Sequence, residues 1–130
     1  MNLPEDNGKL KALILSMDGE GISRTINTLT GRGIEAEAVN SLEQFIDVAG
    51  KLTPNLVIVE DDTRTNCGIL AIRHALGISW MVSSILVSPL GEDEIHERAE
   101  GLGILGSMSS LDDTKKLNEL LDSFDRLRPQ

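Results

Sequence analysis

The sequence predicts an α/β fold in which a doubly wound, five-stranded parallel sheet of (βα)5 order lies between two layers of helices. Apolar, strand-like runs alternate with segments of helical periodicity five times along the chain. The run Leu56–Val59 has four consecutive aliphatic residues, which is typical of a central strand buried on both faces. It breaks abruptly into the carboxylates Glu60, Asp61 and Asp62, as at the carboxyl edge of a sheet, where such folds place their sites.

The length of 130 residues corresponds to one domain that can bury a substantial core without disulfide or metal staples. Residues 1–9 are mostly polar, and we expect them to form a flexible N-terminal arm. Residues 10–128 are expected to form the folded domain, because no repeat, linker or low-complexity segment divides them.

Composition excludes several classes of function. The formal net charge of −9 argues against a nucleic-acid surface and against binding to anionic membranes. The aromatic residues Phe45, Trp80 and Phe124 provide little for stacking on bases or flavin rings. The single cysteine, Cys67, excludes an internal disulfide and fits a reducing cytosol. With no apolar run long enough to span a bilayer, we expect a soluble, cytoplasmic protein.

The first half of the chain predicts two strands and two helices before the central strand. Leu10–Leu15 is a short aliphatic run, and apolar residues at helical spacing from Ile22 to Leu29 predict the first helix. Ile34–Val39 alternates apolar with charged residues, which indicates a strand with one less buried face. Ser41 is the expected N-cap of the second helix. The inner face of that helix is expected to carry Leu42, Phe45, Ile46 and Ala49.

Four further elements are predicted between the acidic triplet and the last helix. Residues 63–67 predict a polar loop, and the apolar spacing from Ile69 to Leu76 predicts the third helix. Ser84–Val87 is the fourth strand, and Glu92–Glu100 is a helix with a charged exterior. Leu102–Leu105 is expected to be the fifth strand.

The last helix is expected to be capped by Ser110 or Asp112, because both residue types accept hydrogen bonds at helix starts. Its inner face is expected to carry Leu117, Leu120, Leu121, Phe124 and Leu127. Trp80, just before the fourth strand, is expected either to be partly buried or, if exposed, to mark a docking spot.

The order of elements and the residues around the central strand resemble the receiver domain of bacterial response regulators over residues 11–127. In that family a Pro-Asp pair and four aliphatic residues lead to the phosphoacceptor aspartate, and a glycine follows after a short loop. Here Pro54-Asn55 and Leu56–Val59 lead to Glu60, and Gly68 stands at the glycine position. The resemblance implies a flavodoxin-like, receiver-like fold and a role in two-component or phosphorelay signalling.

The sequence departs from the family at the residues that carry phosphoryl chemistry. That chemistry needs an aspartate acceptor, an acid pair after the first strand that holds Mg2+, a hydroxyl ending the fourth strand and a lysine ending the fifth. Glu60 occupies the acceptor position, whereas Ser16 and Met17 occupy the acid-pair positions with Asp18 just beyond. Ser88 matches the switch hydroxyl.

The lysine position falls at Ser109 or Ser110, and we take Ser110 as the replacement. No lysine lies between Lys51 and Lys115. With three of the four parts missing, the resemblance implies a degenerate receiver, or pseudo-receiver, that is not an enzyme and that acts through protein contacts.

Asp18, Asp61 and Asp62 are expected to form an acidic pocket around Glu60. Asp18 and Glu60 are the candidate ligands for Mg2+, which we expect to bind weakly, and no other cofactor is expected. Glu60 is also a hypothetical mimic of a permanently charged acceptor, although a carboxylate lacks the oxygens and charge of a phosphate. The residues from Glu60 to Asp62 are equally consistent with a solvated strand end before a turn.

In the family, the fourth helix, fifth strand and last helix commonly mediate dimerisation or partner docking. The corresponding segments here are Glu92–Gly101, Gly103–Gly106 and Asp112–Leu127. The fourth helix is acidic, which predicts a basic surface on a protein partner. A homodimer through this face and an effector domain after Gln130 are the other partners the resemblance implies.

Two alternative functions remain. In the first, an atypical receiver is still active, with Asp61 or Asp62 accepting the phosphoryl group and Asp18 helping to bind Mg2+. In the second, a flavodoxin-like protein binds a nucleotide or FMN in the loop from Ser16 to Ser23. That loop carries Asp18 and Glu20, which repel an anion.

Overall fold

A computed structural model describes residues 9–127, in which five strands alternate with five helices. The elements are β1 (Leu10–Leu15), α1 (Gly19–Gly31), β2 (Ile34–Val39), α2 (Leu42–Leu52), β3 (Leu56–Glu60), α3 (Cys67–Ile78), β4 (Ser83–Val87), α4 (Glu92–Arg98), β5 (Gly106–Met108) and α5 (Thr114–Leu127). All strand pairs are parallel and the sheet order is β2-β1-β3-β4-β5, so the predicted fold class is confirmed. The predicted N-terminal arm lies outside the described residues except for Lys9.

β3 is the central strand, and Leu56–Val59 is completely buried, as the unbroken aliphatic run predicts. Successive side chains of a strand point to opposite faces of the sheet, and this alternation divides the core into two clusters. Leu56 and Ile58 pack on the face covered by α1 and α5. Val57 and Val59 pack on the face covered by α2, α3 and α4.

The register of the sheet brings the carboxyl ends of the strands together. Leu15 of β1 lies beside Val59 of β3, and Glu60 lies beside Val87 of β4. Val87 in turn pairs with Met108 at the end of β5. The residues that follow β1, β3 and β4 therefore meet at one edge, which is where parallel sheets place their sites.

The predicted position of the fifth strand is wrong. β5 is Gly106–Met108, whereas the predicted segment Leu102–Leu105 is an irregular approach to it. Gly101 and Gly103 have φ angles of +83° and +62°, a left-handed conformation that interrupts a strand. The apolar residues of this segment pack beside the core instead of within the ladder.

Two helical residues predicted to face inward are exposed. Ile46 on α2 is 41% exposed and Leu127 at the end of α5 is 70% exposed. Phe45 and Ala49 nevertheless anchor α2, and both are fully buried. Ile46 lies about 100° around α2 from the buried Phe45, and Leu127 is the last residue of α5.

Several element boundaries differ from the prediction. α5 begins at Thr114, and the Asp113 carboxylate accepts a 3.0 Å hydrogen bond from the Lys116 N–H, so Asp113 replaces Ser110 or Asp112 as the cap. α4 ends at Arg98 and not at Glu100, and α3 already includes Cys67.

Candidate functional site

Glu60 ends β3, and its carboxylate turns toward the residues that follow β1. Its Oε1 atom accepts hydrogen bonds from the Ser16 hydroxyl at 2.9 Å and from the Met17 N–H at 3.3 Å. Ser16 is only 2% exposed, whereas the Met17 side chain is 81% exposed. The structure thus joins the residue predicted at the acceptor position directly to the two residues predicted at the acid-pair positions.

Asp18 is the N-cap of α1. Its Oδ1 atom accepts a 3.0 Å hydrogen bond from the Gly21 N–H, and its own N–H donates to the Ser16 hydroxyl oxygen at 3.0 Å. A Cβ atom at Gly21 would lie 2.4 Å from an Asp18 carboxylate oxygen and 2.9 Å from the Leu111 Cβ, so a larger residue there would displace the Asp18 cap or Leu111. The Asp18 carboxylate is therefore engaged with the backbone of its own helix.

Asp61 is buried, and its side chain has no solvent exposure. Its Oδ1 atom accepts hydrogen bonds from the backbone N–H groups of Gly68 at 3.0 Å and Ile69 at 3.4 Å, in the first turn of α3. Its Oδ2 atom accepts from the Arg98 Nε at 3.0 Å and also from the Arg98 Nη2. Both oxygens are therefore occupied by donors within the fold, and the helix dipole of α3 favours the negative charge.

Gly68 is required by this arrangement. A Cβ atom at position 68 would lie 2.8 Å from the Asp61 Cα and 2.9 Å from the Asp61 Cβ. The glycine that the sequence places after the acidic triplet thus allows α3 to approach the end of β3, so that the N–H groups of its first turn reach the Asp61 carboxylate.

Asp62 differs from its neighbour in having an exposed environment. Its side chain is 37% exposed and pairs with Arg64, which donates from its N–H at 2.9 Å, from Nε at 3.3 Å and from Nη2 at 3.2 Å. The side-chain hydrogen bonds first, and the backbone hydrogen bond second, hold the pKa of the Asp62 carboxyl below its ordinary value of 3.8. The same pairing raises the pKa of Arg64.

Each predicted member of the acidic pocket consequently has partners of its own: α1 for Asp18, α3 and Arg98 for Asp61, and Arg64 for Asp62. Within residues 9–127, no group of three or more His, Cys, Asp or Glu side chains is arranged to hold a metal ion. Weak Mg2+ binding by Asp18 and Glu60 stays a prediction.

The predicted switch hydroxyl and lysine replacement occupy neighbouring strand ends. Ser88 is 1% exposed, its N–H donates to the Met108 carbonyl at 2.9 Å, and its hydroxyl oxygen accepts from the Leu90 N–H at 3.2 Å. The Ser110 hydroxyl oxygen accepts from the Asp112 N–H at 2.9 Å and so closes the turn before α5. Both hydroxyls therefore stabilise local turns at the edge of the sheet.

Arg98 is the residue of this edge that the sequence interpretation missed. Besides Asp61, its guanidinium donates a 2.8 Å hydrogen bond to the Asn66 side-chain oxygen. Asn66 precedes α3 with a φ of +58°, a left-handed conformation that asparagine tolerates. One feature of the sequence could have identified Arg98 as a partner for the carboxylates: it is the lone arginine between Arg73 and Arg126 and lies in a mostly acidic helix.

Two surface features lie away from this edge. A groove of about 710 Å3 is lined by residues of α4 and β5, with Glu92, Glu97 and Glu100 on its α4 side and Lys116 of α5 also in the lining. Trp80 was expected to be either partly buried or exposed, and it is exposed, at 81%. In the described part of the chain, no helix is long and apolar enough to cross a membrane.

No protein-family model matches the chain, and a search of curated proteins finds no relative. Solved structures do resemble it. The non-phosphorylated HemR receiver domain from Leptospira biflexa has a TM-score of 0.79 at 13% identity, over 94% of this chain and 99% of that one. A two-component response regulator from Clostridium difficile has a TM-score of 0.78 at 16% identity, over 92% and 98% of the two chains.

The Vibrio cholerae chemotaxis protein CheY4 is similar as well, with a TM-score of 0.77 at 14% identity, over 89% of this chain and 98% of that one. These matches extend over nearly the whole of both chains. At such identities they establish the fold, which is the CheY-like, flavodoxin-like receiver fold.

Proposed function

We propose that this chain is a receiver-like signalling domain of a two-component or phosphorelay system, which lacks standard aspartyl phosphorylation and acts as a binding module, not an enzyme. The observation that carries the proposal is the contact between Glu60 and Ser16. The acceptor position holds a glutamate, and its carboxylate is hydrogen-bonded to a serine at a position where Mg2+ chemistry needs an acid. The receiver fold of the solved relatives supports the signalling role.

The residues present are poorly suited to phosphoryl transfer. Mg2+ prefers carboxylate oxygens, and a serine hydroxyl and a methionine thioether replace both members of the acid pair. A phosphorylated acceptor also needs a second positive charge, yet the sequence has no lysine from residue 52 to residue 114. Two arginines lie near this edge, and both are already paired, Arg98 with Asp61 and Arg64 with Asp62.

The alternative of an active receiver with an unusual acceptor now rests on Asp62. Asp61 has no exposed side-chain surface and both of its oxygens accept hydrogen bonds, so a phosphoryl donor has no access to it. Asp62 is exposed, and a carboxyl whose pKa does not exceed the ordinary 3.8 is ionised at neutral pH, as a nucleophilic carboxylate must be.

A phosphate-binding role for the loop after β1 is less well supported. In flavodoxin-like proteins the N–H groups at a helix start bind a phosphate. Here the Asp18 carboxylate already accepts a hydrogen bond from the first turn of α1 and places negative charge there. Glu20 adds another carboxylate in the same turn.

The proposed contact surface is the groove between α4 and β5. Glu92, Glu97 and Glu100 give its α4 side a negative charge, which complements a basic partner. Two copies of the same acidic helix would repel each other across a symmetric interface. The charge therefore favours a basic partner protein or effector domain over a homodimer through this face.

The first experiment is an amide NMR titration with Mg2+, followed by Mg2+ with beryllofluoride, a mimic of the phosphorylated acceptor. We expect the amides of Asp18, Ser88 and residues 60–62 to shift only slightly with Mg2+, without saturating, and to show no further response to beryllofluoride. The matched positive control is the triple variant Ser16→Asp, Met17→Asp, Glu60→Asp, which adds two carboxylates, places an aspartate at position 60 and should respond to Mg2+.

If the same amides shift and saturate together in the unmodified chain, its carboxylates form a working pocket and the proposal is wrong. The variant Asp62→Asn identifies the acceptor in that case. Loss of the beryllofluoride response in this variant would assign the chemistry to Asp62, whereas a retained response would assign it to Glu60.

The hypothesis that Glu60 mimics a charged acceptor has its own test. Glu60→Gln keeps the hydrogen-bond acceptor for Ser16 and removes the charge. If mimicry matters, affinity for a basic partner should fall in this variant, whereas unchanged affinity would refute the mimicry alone.

A further inference from the structure

We propose that the buried ion pair between Asp61 and Arg98 is a latch that holds α4 at the carboxyl edge of the sheet. Opening the pair would release α4 and, with it, the acidic side of the groove described above. The link to partner binding rests on the proposed function, whereas the latch itself is a property of the isolated chain.

The two sides of the latch are fixed to different degrees. On the Asp61 side, the Asp61 N–H donates to the Val87 carbonyl at 2.9 Å, and the carboxylate is tied to the start of α3. Arg98 instead sits at the last position of α4, and its side chain is 23% exposed. Asp61 is therefore the anchored partner, and Arg98 is the partner that can leave with its helix.

α4 depends on this anchor because it is a weak helix by itself. It has seven residues, far fewer than an isolated helix needs, and Gly91 at its N-cap provides no side-chain hydrogen bond. Its buried apolar contacts come from Ile95 and, at the C-cap, Ala99, both 6% exposed. Arg98 adds hydrogen bonds from this helix to Asp61 and Asn66, in the β3–α3 connection.

We expect the Asp61–Arg98 pair to be either closed or fully open, with no stable intermediate separation. A buried carboxylate that loses its cation is strongly destabilised, because it is left charged and poorly solvated. The pair must therefore stay closed or separate enough to admit water. A partner that binds α4 in only one of these positions would shift the balance between them.

The test is hydrogen exchange of the backbone amides in the double variant Asp61→Asn, Arg98→Gln. This variant removes both charges together, so no charge is left unpaired, and the asparagine keeps a side-chain oxygen for the Gly68 N–H. The matched control is Asp62→Asn, Arg64→Gln, which makes the same exchange of residue types in the adjacent exposed pair.

We expect exchange in residues 92–100 of the latch variant to accelerate by about tenfold or more, because the shorter, uncharged glutamine cannot make the charge-assisted hydrogen bonds by which Arg98 ties α4 to Asp61 and Asn66. The amides of β1 and β3 should keep their protection, and the control should exchange like the unmodified chain. If exchange in residues 92–100 is unchanged, or rises equally in β1 and β3, the pair is no latch and the inference is overturned.

This experiment uses no metal, phosphoryl analogue or partner. A failure of the latch would therefore leave the proposed function standing, and a positive Mg2+ titration would overturn the proposed function without affecting the latch.

Discussion

The Ser16 hydroxyl donates a 2.9 Å hydrogen bond to the Glu60 carboxylate and so joins the ends of β1 and β3. Ser16 in turn accepts a hydrogen bond from the Asp18 N–H, which places it between the acceptor position and the start of α1. The two departures from the receiver pattern therefore complement each other. An acid at position 16 would face Glu60 as a like charge, whereas serine is a donor to it.

The substitution Ser16→Asp is expected to destabilise the fold at neutral pH by about 1–2 kcal/mol, because two carboxylates would then share a mostly buried site. Millimolar Mg2+ should recover part of this loss by binding between them. Urea unfolding with and without Mg2+ measures both effects. Ser23→Asp adds the same charge on the exposed side of α1 and should change little, and an absence of any Mg2+ effect on Ser16→Asp would contradict the assigned geometry.

Gly68→Ala is expected to destabilise the protein by about 1–3 kcal/mol, since the new Cβ would overlap the Asp61 backbone. Gly77→Ala is the control in the same helix, because a Cβ there meets nothing within 4 Å. Alanine has the higher helix propensity, so this control should stabilise by up to about 1 kcal/mol. Thermal unfolding of both variants measures the difference, and equal melting temperatures would be inconsistent with the close contact.

Thr25→Val is expected to stabilise the protein by about 1 kcal/mol, because it removes a buried hydroxyl that lacks a hydrogen bond. Thr25 is 1% exposed, and among the described residues its Oγ1 atom has no partner. Thr28→Val in the same helix removes a hydroxyl that donates to the Arg24 carbonyl at 3.1 Å, and it should give no such gain. Chemical denaturation compares the two variants, and a destabilised Thr25→Val would indicate a partner that the fold does not show.

Arg32→Ala is expected to lower the free energy of unfolding by about 1–2 kcal/mol, because the guanidinium joins the end of α1 to α5 through several acceptors. It donates to Asn118 at 3.1 Å, to Asp122 at 2.7 Å and to Asp125 at 3.2 Å, and its side chain is 24% exposed. Lys51→Ala removes a single exposed pair with Asp47 and should cost almost nothing. If added salt lowers the free energy of unfolding of the unmodified chain as much as Arg32→Ala does, the contribution of Arg32 is charge attraction that salt screens, and not side-chain packing.

The pH dependence of Asp62 follows from its pairing with Arg64. Its folded pKa is held below the ordinary value of 3.8, so the unfolded chain binds a proton more readily. The Asp62–Arg64 pairing therefore contributes its full stabilisation at pH values above 3.8, and this stabilisation is lost as the pH falls through the folded pKa of Asp62. A carboxyl-carbon NMR titration should give a midpoint below 3.8 for Asp62, and Arg64→Gln should move it upward. A midpoint unaffected by Arg64→Gln would exclude this pairing as the cause.

The amino-acid sequence by itself determined the order of the elements and the central strand. Leu56–Val59 can be recognised because a strand buried on both faces needs apolar residues at every position, which is a local pattern. The resemblance also predicts that Glu60 stands at the acceptor position and Gly68 at the glycine position, from their spacing along the chain. These features can be predicted because each depends on neighbours in sequence.

The tertiary structure decided the features that depend on distant partners. Asp61 and Asp62 are adjacent acids with indistinguishable sequence signals, yet one is buried against Arg98, 37 residues away, and the other is exposed beside Arg64. The three-residue strand β5 and the exposure of Leu127 likewise depend on which surfaces remain to be covered after the helices have packed. Burial and ion pairing are properties of the assembled fold, because the charge and apolar area that decide them come from other elements.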